Sequence, residues 1–245
     1  MGILNYLVFD GVKSSDYGVF ISGEGTFNSP ARKGTTVTIP GRNGTLFMDE
    51  DSFENIPGKY PAFIGTKSDA DFRDKLAAFK SAILSRGNYK RLSDSYHPDE
   101  YRLAVYKSGL DVDPKHYNRA GGFTLEFDCK PQRFLTIGET PKTFTANGTI
   151  ENPTLFYSSP LLEVVGTGLV TIGDYSFKID ANPGTIYIDA DIMEAYSISG
   201  GDLVSENGNV LYTDHRPPRI APGVISVVLG VGITSLIITP RWWRL

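Results

Sequence analysis

Only one cysteine, Cys129, occurs among the 245 residues, so no intrachain disulfide can form. That suits a reducing compartment, or a fold large enough to need no covalent staple. Cys129 falls in an alternating apolar run and reads as a plain buried strand residue. Histidine is nearly as scarce: His97, His116 and His215 stand far apart, each beside proline or charged residues. A zinc centre needs three or four converging ligands, so these read as surface histidines and no metal site is assigned. Basic residues are not in excess. Lys and Arg number 24 against 28 Asp and Glu, a net charge of -4, which argues against a protein that grips phosphate backbones.

Motifs that carry chemistry are also missing. The chain has no GxxxxGK(S/T), no GxSxG and no HExxH. Gly23-Glu24-Gly25 and Gly166-Thr167-Gly168 begin like dinucleotide loops. Neither has the third glycine or opens a helix, so a phosphate would meet no helix N-terminus. Catalytic residues, cofactor-binding residues and cofactors are therefore all read as none, and the chain is not expected to be an enzyme. The N-terminus, Met1-Gly2-Ile3-Leu4-Asn5-Tyr6, has no basic region and reads as neither a secretory signal nor a myristoylation site.

Long uninterrupted apolar runs are absent except near the end. No charge lies between Arg219 and Arg241, and Trp242-Trp243 follow, as at a membrane helix. Gly230-Val231-Gly232 nevertheless cuts this stretch into 224–229 and 234–239, both rich in valine and isoleucine. Two core strands are the reading, and a membrane span is the alternative.

What is present is mostly strand signal. Residues 3–12 and 17–21 read as strands around a turn at Lys13-Ser14-Ser15-Asp16. Asn43-Gly44 between strand-like runs is a strong hairpin signal. Residues 50–60 read as an irregular acidic and aromatic connection, and Asp49-Glu50-Asp51 as a solvated loop rather than a calcium site. One helix stands out. Ser68 is its N-cap, Asp69 and Asp71 complement the dipole, and Phe72, Leu76, Phe79 and Ile83 form one stripe. Gly87 is expected to close it from the C′ position. Further strands are expected at 101–106 and 123–129.

Phe123, Leu125 and Phe127 alternate with Thr124, Glu126 and Asp128 before Pro131, where the strand must stop or sit at an edge. This phrase reads as a hinge between two domains, 1–134 and 135–245. Beyond it lie short strands at 161–165, 169–172, 176–179, 185–188 and 203–204, cut by Asn147-Gly148, Asn182-Pro183-Gly184, Gly200-Gly201, Asn207-Gly208 and Pro222-Gly223. Short strands with no helix between them indicate a β-sandwich. The fold class is mainly β with one amphipathic helix. Asn43-Gly44-Thr45 and Asn147-Gly148-Thr149 match the glycosylation pattern but read more simply as turns. Asp189 and Asp191, flanking Ala190, would point the same way from a strand, as a glycosidase pair could.

In order and spacing, the chain resembles the distal tail proteins of long, non-contractile-tailed bacteriophages. The phrases that carry the likeness begin with Phe9-Asp10-Gly11-Val12, Asp16-Tyr17-Gly18-Val19 and Pro40-Gly41-Arg42-Asn43-Gly44-Thr45-Leu46. The helix from Ser68 and the hinge at 123–134 follow. The second domain adds Asn152-Pro153, Ser159-Pro160-Leu161-Leu162-Glu163-Val164, Gly166-Thr167-Gly168, Ile186-Tyr187-Ile188-Asp189, Pro218-Arg219-Ile220-Ala221-Pro222-Gly223 and Ile237-Ile238-Thr239-Pro240-Arg241-Trp242.

The resemblance implies a homo-hexameric ring at the tail tip of the virion, assembled in the host cytoplasm. N-terminal domains would form its belt, and galectin-like β-sandwiches would project outward. The ring would join the major tail tube protein to the tail-associated tip protein and carry the receptor-binding protein. DNA would pass through without specific binding, and nothing would insert into a membrane. The Asn43-Gly44 hairpin and the acidic run after it are candidates for the ring contact, with an ordinary surface hairpin as the bland reading. The negative net charge points to an acidic or neutral inner wall. Two rival readings remain: a carbohydrate-binding β-sandwich module for host-surface attachment, suggested by the many tyrosines, and a hydrolase using Asp189 and Asp191.

Overall fold

The alternation of apolar and polar residues builds two separate cores. The computed structural model describes residues 4–23, 27–115, 119–181 and 184–245. They divide into two units, Met1–Arg133 with Leu245, and Phe134–Arg244. The protein is mainly β, with one α-helix among the described residues, Asp69–Leu84.

In the first unit the main sheet runs in the order Val12–Lys13, Leu7–Phe9, Lys90–Asp94, Glu100–Val105, Ala120–Leu135, Ile56–Gly65, Val19–Ile21. Leu7, Phe9, Val19, Ile64, Leu125 and Phe127 of one face are buried with Phe72, Phe79 and Ile83 of the helix. The helix thus lies on that face by the stripe its spacing predicts. The Ser68 side chain accepts a hydrogen bond from the Asp71 N–H at 3.2 Å, as an N-cap should. Its other end differs from expectation. Ser85 is the C-cap in right-handed geometry, and the left-handed residue is Asn88 (φ 61), not Gly87. Arg86 Nη1 donates to the Ala82 carbonyl at 2.7 Å, satisfying a carbonyl that a glycine-closed turn would otherwise have to bind.

Three other expectations are corrected. The first hairpin turns at Asp10-Gly11, and residues 14–17 form a 3-10 turn ended by Gly18 in left-handed geometry. Residues 50–60 are mostly strand rather than an irregular connection: one strand continues, through a bulge at Asp51 (φ 51), to Phe53 and the next begins at Ile56. The hinge strand is longer than the expected 123–129, running Ala120–Leu135, and of the two alternatives for Pro131, a stop or an edge, the edge is found. Its ladder with Ile56–Gly65 ends at Cys129↔Ile56, so Pro131 falls where that side needs no donor. Pro57 and Pro61 follow the same rule. Their carbonyls accept from Asn28 Nδ2 and the Ser22 N–H, so both turn toward the side away from the ladder.

The second unit is a fully antiparallel β-sandwich. One sheet orders Lys142–Phe144, Ile233–Thr239, Leu161–Gly166, Thr185–Asp189, Glu194–Ser199 and Asp202–Ser205. The other orders Gly148–Asn152, Gly223–Leu229, Gly168–Ile172, Tyr175–Ile179 and Val210–Tyr212. Leu162, Val164, Ile186, Ile188, Leu236 and Ile238 of the first meet Val170, Ile172, Phe177, Ile179 and Val227 of the second in one core. The uncharged C-terminal stretch is two core strands, one in each sheet. Among the described residues no helix is long and apolar enough to cross a membrane.

Gly166-Thr167-Gly168 and Gly230-Val231-Gly232 are two of the crossings between the sheets, and they interlock. The Thr167 N–H donates to the Gly232 carbonyl at 3.1 Å, and the Gly230 N–H to the Leu169 carbonyl at 2.7 Å. A Cβ on Gly166 (φ 102) would overlap the Gly232 carbonyl oxygen. The supposed start of a dinucleotide loop is a corner where two backbones touch.

Candidate functional site

Arg32–Thr38 and Thr45–Phe53 form a two-stranded ribbon that joins no other sheet among the described residues. Pairing runs from Thr38↔Thr45 to Gly34↔Asp49, with a register shift between Arg32 and Gly34. Thr and Val suit the strand, and the Pro40–Gly44 loop supplies left-handed positions at Gly41 and Gly44. The hairpin read from Asn43-Gly44 therefore exists, but it closes over six residues, 39–44. No residue of Arg32–Thr38 is buried, and in the longer strand only Ser52 and Phe53 are even half-buried.

The ribbon's two faces differ. Val37, Leu46 and Met48 share one face and are 39%, 49% and 57% exposed. The other carries Thr36, Thr38, Thr45 and Phe47. The Phe47 ring lies over Gly34, leaving no room for a side chain there. At the root, Arg32 Nη1 meets Asp49 Oδ2 at 2.6 Å, and the Arg32 guanidinium sits over the Phe53 ring. Asn28, just before the ribbon, donates to the Pro57 carbonyl at 2.6 Å and accepts from Arg102 Nη2 at 3.2 Å.

That clamp reaches into the domain core. Arg102 is 5% exposed, and burial, followed by neighbouring Arg133, lowers its pKa. Arg133 in turn pairs with buried Glu100 at 2.7 Å. Tyr60 in the same core donates to Asp94 at 2.9 Å, and burial first, then that carboxylate, raises its pKa well above normal. The root of the ribbon is therefore tied to the domain core through Asn28 and Arg102, while the ribbon has no core of its own.

The residues singled out in the sequence do not form a reaction centre. Asp49-Glu50-Asp51 lies at a bulge in the strand, with Asp51 in left-handed geometry (φ 51) and its N–H donating to Asp49 Oδ1 at 2.9 Å, and Asp49 is taken by Arg32. Asp189 ends its strand, while Asp191 is in the following turn and donates its N–H to Asp189 Oδ1 at 3.0 Å. Arg241 holds both Asp189 oxygens, at 2.7 and 2.9 Å. Burial by itself would push the Asp189 carboxyl up; the Arg241 bonds and the backbone N–H groups of Asp191 and Ile192 together hold it below its usual value. The parallel carboxylate pair expected for a glycosidase is thus replaced by an ion pair within a turn.

Cys129 is fully buried, and burial pushes its thiol up, away from a reactive thiolate. His97 is half-buried rather than a surface residue, with Nδ1 3.1 Å from Asp94 Oδ1. His215 is exposed, and His116 and Glu24-Gly25 lie outside the described residues. Asn147 Oδ1 accepts from the Leu229 N–H at 2.9 Å, a turn role. No group of three or more His, Cys, Asp or Glu among the described residues could hold a metal ion. The polar crevice beside Tyr60, His97, Glu100 and Arg133 offers about 10 Å³, room for one water.

Sequence reasoning missed the ribbon's length, its Asn28 root, and a stack of Tyr187 on Tyr196 at 5.4 Å on the outward face of the six-stranded sheet. The available signal for the last was period-two alternation in 185–189 and 194–199.

Residues 12–129 match the family model of the phage tail protein RIFT-related domain. The whole-chain fold agrees. The chain covers 99% of its length on 100% of the Dit (gp 19.1) protein of SPP1, described as a paradigm of hub adsorption apparatus in phages infecting Gram-positive bacteria, with TM-score 0.75 and 15% identity. It matches the phage P2 baseplate in its activated conformation with Ca at TM-score 0.56 and 9% identity, over 97% of each chain. The same baseplate with Sr matches at TM-score 0.54 and 11% identity, over 100% of this chain and 99% of that one. The whole chain shares the fold of these hub and baseplate proteins. None of the curated proteins matches its sequence.

Proposed function

We propose that the protein is the hub ring of a phage tail tip. Six copies join through their N-terminal domains, 1–134, and the C-terminal sandwiches, 135–245, project outward. The ring connects the major tail tube protein to the tail-associated tip protein, carries the receptor-binding protein, and lets DNA through a channel whose wall is acidic or neutral. It assembles in the host cytoplasm. The observation that carries the reading is the ribbon: a coreless two-stranded arm with an exposed aliphatic face, on a root clamped to Arg102. Such an arm is marginal by itself in water and gains stability by packing against another chain. A ring built from one repeated contact needs two different complementary surfaces on each copy. The described hub and baseplate relatives support the same role.

Sedimentation, native mass spectrometry and electron micrographs of the full chain test this. A closed six-membered ring is expected, alone or once the tip protein is added. A chain that stays monomeric in both conditions overturns it.

The stacked Tyr187 and Tyr196 favour a second reading, a sugar-binding sandwich that serves attachment to the host surface. Glycan-array binding lost in Tyr196→Ala would support it, and an array without binding would remove it.

A further inference from the structure

We infer that the ribbons of adjacent copies join edge to edge, the Arg32–Thr38 strand of one beside the Thr45–Phe53 strand of the next. Together they form a continuous antiparallel sheet between subunits. The inference rests on the ring reading and names the contact that builds it.

Charge is segregated on the ribbon. The only charged residues of Arg32–Thr38 are Arg32 and Lys33, and the only ones of Thr45–Phe53 are Asp49, Glu50 and Asp51. Each strand is an edge, so one edge is basic and the other acidic. Arg32 and Asp49 satisfy one another inside the ribbon. The side chains of Lys33, Glu50 and Asp51 make no hydrogen bond or ion pair with described residues.

The direction of the strands then decides how copies can meet. All these charges sit at the root end of the ribbon, away from the 39–44 loop. When two ribbons point the same way, the Arg32–Thr38 strand of one is antiparallel to the Thr45–Phe53 strand of the next, and basic root meets acidic root. A two-fold pairing of like edges would instead set each charged root against a neutral threonine tip, and it would close as a dimer. Complementary edges select the heterologous contact, which repeats until a ring closes. The register shift sets Lys33 opposite three residues, Glu50 to Ser52, so the acidic strand bulges at the root and regular pairing is confined to Gly34–Thr38 against Thr45–Asp49.

Two exposed charge reversals test the contact on the full chain at low ionic strength. Lys33→Glu removes the basic edge, and Glu50→Lys weakens the acidic one. Each alone is expected to raise the concentration for half-assembly by about tenfold. An equal mixture of the two variants is expected to assemble like the parent, because the altered edges of alternating copies then complement each other. Added salt should shrink these differences.

Single variants that assemble like the parent overturn the edge contact while leaving the ring intact. So do variants that the mixture fails to rescue, since the charges would then act within one ribbon. A parent chain that never assembles, even with its tip protein, overturns the ring reading and this inference with it.

Discussion

The ribbon and the sandwich are built from the same strand-forming residues, yet they stand differently in water. In the sandwich, inward side chains such as Phe177, Leu162 and Ile188 are fully buried between two sheets. In the ribbon, Leu46, Phe47 and Met48 form equally regular strands with about half of each side chain exposed. Strand formation is a local matter of backbone preference and turn chemistry, whereas stability comes from a second layer. A regular element without a second layer keeps its apolar side chains in contact with water.

Truncation separates the two regions most sharply. Phe177→Ala should cost the sandwich about 3–5 kcal/mol, read from chemical unfolding of the full chain. If Phe47→Ala cost as much, the ribbon would have a hidden core and the contrast would fail.

The next effect concerns the sandwich's ion pair. Asp189→Asn should cost about 1.5–3 kcal/mol near neutral pH by weakening charge-assisted bonds to Arg241. The folded carboxyl of Asp189 lies below its ordinary value. Its contribution is therefore present above the unfolded-state pKa and is lost as pH falls through the folded one. The gap between parent and variant should narrow on acidification; a gap constant down to strong acid would show the pair is not charged.

A smaller loss, about 1 kcal/mol, is expected for Ser68→Ala, which removes the N-cap of the helix covering the first unit's sheet. Thermal unfolding monitored by circular dichroism would show it. The smallest effect on stability, within about 0.5 kcal/mol, is expected for Met48→Ser on the ribbon. Sedimentation of that variant should still reveal weakened assembly. Unchanged assembly would move the contact away from the aliphatic face.

The helix was legible residue by residue because its cap and stripe are spaced over neighbouring turns. The Gly-rich cuts at 166–168 and 230–232 were legible as breaks, but their interlocking was not, since it joins segments more than sixty positions apart. The strand through Asp49-Glu50-Asp51 was missed because aspartate and glutamate are depleted in strands and because Asp51 sits at a left-handed bulge position within it. The strand past Pro131 was missed because a proline stops a ladder only on the side where its N–H would donate.

The sequence alone determined the local pieces: the capped helix, the hairpin at Asn43-Gly44 and the alternation of the sandwich strands. Each depends on backbone preferences within a few residues. Tertiary structure decided which pieces found a second layer. It set Arg241 on Asp189 and tied Asn28 to Arg102, and it left the ribbon bare. Those outcomes depend on which distant side chains come within reach when apolar faces close, and no local spacing encodes that.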